Sequence, residues 1–72
     1  MSKYRFKTRE EFIRDGLWND KYNCPNGWGW EGQMNKYLGK DVPDELNVHC
    51  NKKENFKYEG WYFLNTDYIL KE

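Results

Sequence analysis

The residues of this chain best suited to metal or nucleophilic chemistry are Cys24, His49 and Cys50. Structural zinc takes four ligands, usually with cysteines paired a few residues apart. Here the two cysteines lie far apart in sequence and there is one histidine, so neither a metal nor a cofactor is expected. Read as strand neighbours, His49 and Cys50 would point to opposite faces. A Cys24–Cys50 disulfide would be disfavoured in a reducing cytosol. The expectation is two separate thiols, with Cys50 buried on a face shared with Leu46 and Val48. A Cys24–His49 nucleophilic pair would need thiol and imidazole within hydrogen-bond reach and a third, orienting group. Cys24 instead sits in an Asn-Cys-Pro-Asn loop, with no helix N-terminus to lower its pKa.

Carboxylates are paired at Glu10/Glu11, Asp15/Asp20 and Asp44/Glu45. None is embedded in the apolar sequence that raises a catalytic pKa. Gly27-Trp28-Gly29 lacks the Gly, Lys and Ser/Thr of a phosphate loop. The chain therefore reads as a non-enzyme.

The aromatic residues are the remaining signal. The 72 residues include four Phe, four Trp and six Tyr, against two Val, two Ile, five Leu and no Ala. Disordered chains are poor in aromatics, so a ring-built core is expected despite a mean hydropathy of −1.22. Phe12, Trp30, Tyr37, Phe56, Trp61 and Phe63 fall at periodic positions and suit that core. Trp18, Tyr22 and Trp28 stand among turn formers and need another role. Twelve basic and twelve acidic residues give zero net charge. That weakens a nucleic-acid reading, because phosphate neutralisation dominates such affinity. No stretch reaches the roughly 18–20 apolar residues of a membrane span, and residues 1–14 hold no apolar leader core. A cytoplasmic protein with no membrane partner is expected.

The elements that must position these groups follow from local patterns. Tyr4-Arg5-Phe6 alternates like a short strand. Thr8 to Glu11 is a capping box that opens a helix carrying Phe12, Ile13 and Leu17, closed by Gly16. Residues 18–29 read as a loop with a turn at Pro25-Asn26-Gly27. Trp30, Met34, Tyr37 and Leu38 share one face of a second helix over 30–38, closed by Gly39. Glu31, Gln33, Asn35 and Lys36 face away. Leu46, Val48 and Cys50 alternate as a strand would, as do Phe56 and Tyr58, then Trp61 and Phe63 after a tight Glu59-Gly60 turn. Asn65-Thr66-Asp67 is another turn, and Tyr68-Ile69-Leu70 a closing strand or short 3₁₀ turn. The sum is one α+β domain spanning 1–72: two short helices, then a small antiparallel meander.

Four pieces together resemble small uncharacterised accessory proteins of large tailed bacteriophages. These are Phe6-Lys7-Thr8-Arg9-Glu10-Glu11-Phe12, Pro25-Asn26-Gly27-Trp28, Met34 with Tyr37-Leu38-Gly39, and Trp61-Tyr62-Phe63. The resemblance implies an SH3-like, barrel-like meander decorated by helices. It also implies an accessory protein acting on the host, in the host-cell cytoplasm, and gives no catalytic residues. The Lys-, Asn- and Tyr-rich composition suits an AT-rich genome.

Two functions from different classes follow. The first is a protein that binds and inhibits or redirects a host protein, such as an antiviral defence factor, as monomer or homodimer. Its contact surface would be Tyr22, Trp28 and the Asp41–Glu45 segment, with Asp41, Asp44 and Glu45 as its acids. The second is single-stranded nucleic-acid or nucleotide binding, with Lys52, Lys53 and Lys57 beside Phe56 and Tyr58 as the stacking site.

Overall fold

The computed structural model describes residues 3–26 and 30–71. Strand β1 (Tyr4–Phe6) leads into helix α1 (Arg9–Arg14). The capping box forms as the sequence requires: the Thr8 hydroxyl accepts from the Glu11 N–H, and the Glu11 carboxylate accepts from the Thr8 N–H at 2.9 Å. Asp15 caps the C-terminus, and Gly16 follows with φ +74°. That is the left-handed position where glycine is least strained.

Residues 18–29 are not wholly loop. Strands β2 (Trp18–Asn19) and β3 (Cys24–Pro25) pair antiparallel. The turn between them lies earlier than Pro25-Asn26-Gly27. The Asn19 side chain accepts from the N–H groups of Lys21 and Tyr22, and Asn23 takes φ +53°. The β2–β3 turn is thus of the Asx type, and Pro25 is buried in β3; the expected Pro25-Asn26-Gly27 turn runs into Gly27, outside the described residues.

The second helix is a 3₁₀ helix over Gly32–Tyr37 rather than an α-helix over 30–38. Trp30, Met34 and Tyr37 are buried, as the apolar face requires. Asn35 does not face away: its side chain accepts from Trp30 Nε1 at 3.0 Å and donates to the Asn23 carbonyl at 2.8 Å. The second of these bonds ties the 3₁₀ helix to the β2–β3 hairpin.

The expected strand over 46–51 is helical. A 3₁₀ turn, Asp44–Leu46, runs into helix α2 (Asn47–Asn51). Leu46 and Cys50, four apart, turn inward, whereas Val48 is 51% exposed. Alternation of three apolar residues satisfied both periods. Pro43 and the two acids that follow it are helix-start residues, and they prevail.

Strands β4 (Phe56–Tyr58) and β5 (Trp61–Phe63) form the expected hairpin, with Tyr58 opposite Trp61. Glu59 and Gly60 both have positive φ, as a two-residue turn of this hand demands. Strand β6 (Tyr68–Leu70) does not continue a meander. It pairs antiparallel with β1, Phe6 opposite Tyr68 and Tyr4 opposite Leu70. On its other side β1 bonds to the 40–42 segment, through Phe6 N–H to Lys40 O at 2.8 Å and Val42 N–H to Tyr4 O at 3.0 Å. The described residues thus form an α+β arrangement of open antiparallel pairs. No SH3-like barrel closes among the described residues, because the three strand pairs are not bonded to one another.

Rings build the core. Phe63 lies 4.6 Å from Phe6, 5.3 Å from Tyr37 and 5.6 Å from Trp30, centroid to centroid, the last two edge-to-face. Phe12 and Phe56 are also buried, and Trp61 packs half-buried against the cluster. Edge-to-face pairs add about 0.5–1.5 kcal/mol each beyond area burial, so nine branched aliphatics suffice.

Candidate functional site

The thiols are placed for packing. Cys24 and Cys50 are both free and buried. Burial alone pushes the Cys50 thiol up to about 11, away from the thiolate a nucleophile needs. His49, on the same helix, sets Nδ1 3.2 Å from Glu54 Oε1 and stacks on Phe56. Because α2 is a helix, His49 and Cys50 lie on adjacent positions of one turn, not on opposite faces of a strand. Among the described residues no three His, Cys, Asp or Glu side chains gather as metal ligands do.

The carboxylates hold the fold. Arg5 grips Glu11 with two hydrogen bonds of 2.5 and 2.9 Å, which with the Thr8 bonds hold its carboxyl at about 2. Lys7 lies 3.1 Å from Asp15 and lowers that carboxyl below its usual range. One acid escaped the sequence reading. Asp67 is 2% exposed, and burial pushes it up to about 6 against the opposing pull of the Leu64 N–H and Lys7. A carboxyl at that value is suited to proton transfer. Asp67, however, accepts the Leu64 N–H at 2.8 Å and closes its own turn, with no surface through which a substrate could reach it.

The residues expected at a protein contact are exposed, on two separate elements. Tyr22 caps the β2–β3 hairpin at 66% exposure, with the Lys21 ammonium 5.4 Å from its ring centroid. Asp41 is exposed and meets Lys71 at 3.1 Å. Asp44 and Glu45 are exposed in the first turn of the short 3₁₀ helix. Asp41, Asp44 and Glu45 thus share one exposed stretch, and no hydrogen bond or ring contact joins Tyr22 to it among the described residues. Trp28 lies outside the described residues.

The expected stacking site is not assembled. Phe56 is 5% exposed, 5.6 Å from both Phe63 and Tyr68. Tyr58 is half-buried against Tyr37. Strand alternation turns both rings inward and Lys57 outward. Lys52 and Lys53 are exposed at the end of α2, so the lysines have no open ring among Phe56 and Tyr58 to work beside.

A concavity that no sequence signal announced lies between β6 and the end of α2. It measures about 470 Å³ and is lined by Tyr4, Cys50, Asn51, Lys53, Tyr68 and Leu70 among others. No helix among the described residues is long and apolar enough to cross a membrane. Comparison with protein-family models, curated proteins and solved structures finds no match to this chain.

Proposed function

We propose that this chain is a non-enzymatic accessory protein of the phage type, which binds a bacterial host protein and inhibits or redirects it. The observation that carries the reading is the division of the rings. The core absorbs most of them, while Tyr22 stands out on a hairpin tip that the core does not require. Tyrosine is enriched at interface hot spots because it offers a large contact at low entropic cost. The exposed acids Asp41, Asp44 and Glu45 supply a second, charged contact for a partner with a basic surface. The non-catalytic part of the reading is supported by the inert Cys50 thiol and by the enclosed setting of Asp67. The nucleic-acid alternative loses support with the burial of Phe56.

Affinity capture from bacterial lysate tests the proposal. The full chain should retain one stoichiometric bacterial protein, and Tyr22→Ala should release it. Retention of nothing, or of the same protein by both chains, would count against it.

A further inference from the structure

We infer that the cleft between β6 and the end of α2 is a docking site for an extended peptide segment of a partner protein. That segment would add a strand to β6 and carry an apolar side chain and a carboxylate two residues apart. The site is separate from the Tyr22 surface and does not depend on it.

The backbone supplies the first argument. Lys71 N–H bonds to Lys3 O at 2.9 Å, and Lys7 N–H to Asp67 O at 3.0 Å. These flank the Arg5–Ile69 pair, which by alternation is hydrogen-bonded in the same way. Tyr68 and Leu70 therefore turn their N–H and C=O groups away from β1. Those groups have no backbone partner among the described residues, and a bare strand edge of this kind templates strand addition.

The side chains supply the second. Tyr4, Phe6, Tyr68 and Leu70 share one face of the β1–β6 ribbon by register. Phe6 and Tyr68 are covered by the core, yet Leu70 on the same face is 57% exposed. Helix α2 ends before it reaches Leu70, and the cleft is the gap left over.

Charge complementarity selects the occupant. Lys53 is the one ionised side chain lining the cleft, and it has no carboxylate partner among the described residues. The Asn51 carbonyl oxygen accepts from the Tyr4 hydroxyl at 2.8 Å, leaving its amide N–H₂ as a second donor beside that ammonium. Two donors and an uncovered leucine on one side of an open strand match a carboxylate and an apolar group at i and i+2 of an extended chain.

The test uses the full ¹⁵N-labelled chain and a blocked hexapeptide, Thr-Val-Thr-Glu-Thr-Val. Two counterparts carry Gln or Lys in place of Glu. The Glu peptide should shift the amide resonances of Tyr68 and Leu70 and bind about fivefold more tightly than the Gln peptide, as expected for one partly exposed ion pair. Lys53→Gln should erase that preference while core resonances stay in place, and Tyr22→Ala should leave it intact. Equal binding of the three peptides, shifts confined to other surfaces or no binding at millimolar peptide would overturn the inference. So would concentration-dependent dimerisation through β6.

Discussion

Asp67 is the residue where environment and chemistry diverge most. Its carboxyl is enclosed and held at about 6, above the usual 3.8. Folding therefore favours the protonated form. The stability linked to this group is complete below the unfolded value and is lost as pH rises through about 6. Glu11 behaves in the opposite sense. Held at about 2 by Arg5, it contributes stability above 4.5 that is lost as pH falls toward 2. From these two groups, denaturant stability should peak near pH 4–5 and decline on both sides. Asp67→Asn keeps an oxygen for the Leu64 N–H and removes the buried charge. It should flatten the decline between pH 4 and 7 and raise stability at pH 8 by on the order of 1 kcal/mol. An unchanged slope in urea melts across that range would refute the assignment. At the same scale, Phe63→Ala removes the ring that touches Phe6, Tyr37 and Trp30. Its cost of about 3–5 kcal/mol matches the ~3–5 kcal/mol that a core this size supplies. The variant should have lost its near-ultraviolet circular dichroism at 25 °C.

At the scale of elements, the parts legible in the sequence are those specified by local signals. Thr8 and Glu11 cap α1 with two reciprocal bonds, and Thr8→Ala should cost about 1 kcal/mol in a thermal or urea melt. Glu59-Gly60 selects the β4–β5 turn because Gly60 can take φ +83° without strain. Helix α2 was not legible. Leu46, Val48 and Cys50 fit an alternating pattern, and Asn, His and Cys are weak helix formers. Only packing distinguishes the inward pair Leu46 and Cys50 from the outward Val48. Exposure at Asp41, Asp44, Glu45 and Tyr22 followed from turn and acid composition. The burial of Phe56 was equally legible from its alternation with Lys57, and a cluster of lysines nearby does not make a buried ring a stacking platform. The cleft beside β6 had no local signal at all. Three segments distant in sequence, at Tyr4, at Cys50–Lys53 and at Asn65–Leu70, meet to form it.

The whole molecule is organised around β1. It is the only described strand bonded along both edges, to β6 on one side and to the 40–42 segment on the other. The pairing joins segments more than sixty residues apart in sequence, Tyr4–Phe6 and Tyr68–Leu70. Native-state hydrogen exchange should show this. The Phe6 and Val42 amides should exchange only through global unfolding, and those of the two-residue β2–β3 hairpin much faster through local opening. Equal protection across both would contradict a fold centred on β1. The same arrangement leaves the β2–β3 tip and the acidic stretch exposed, and the outer edge of β6 without a backbone partner among the described residues. Zero net charge and a buried Phe56 favour protein over nucleic acid as what meets them.

The central claim is that this chain acts by binding a host protein through Tyr22. Quantitative mass spectrometry of affinity captures tests it most directly, with the full chain and its folded Tyr22→Ala variant run side by side in bacterial lysate. A hot-spot tyrosine predicts one near-stoichiometric bacterial protein on the full chain, depleted about tenfold or more on the variant. Absence of any stoichiometric protein, or equal recovery on both chains, would contradict the account.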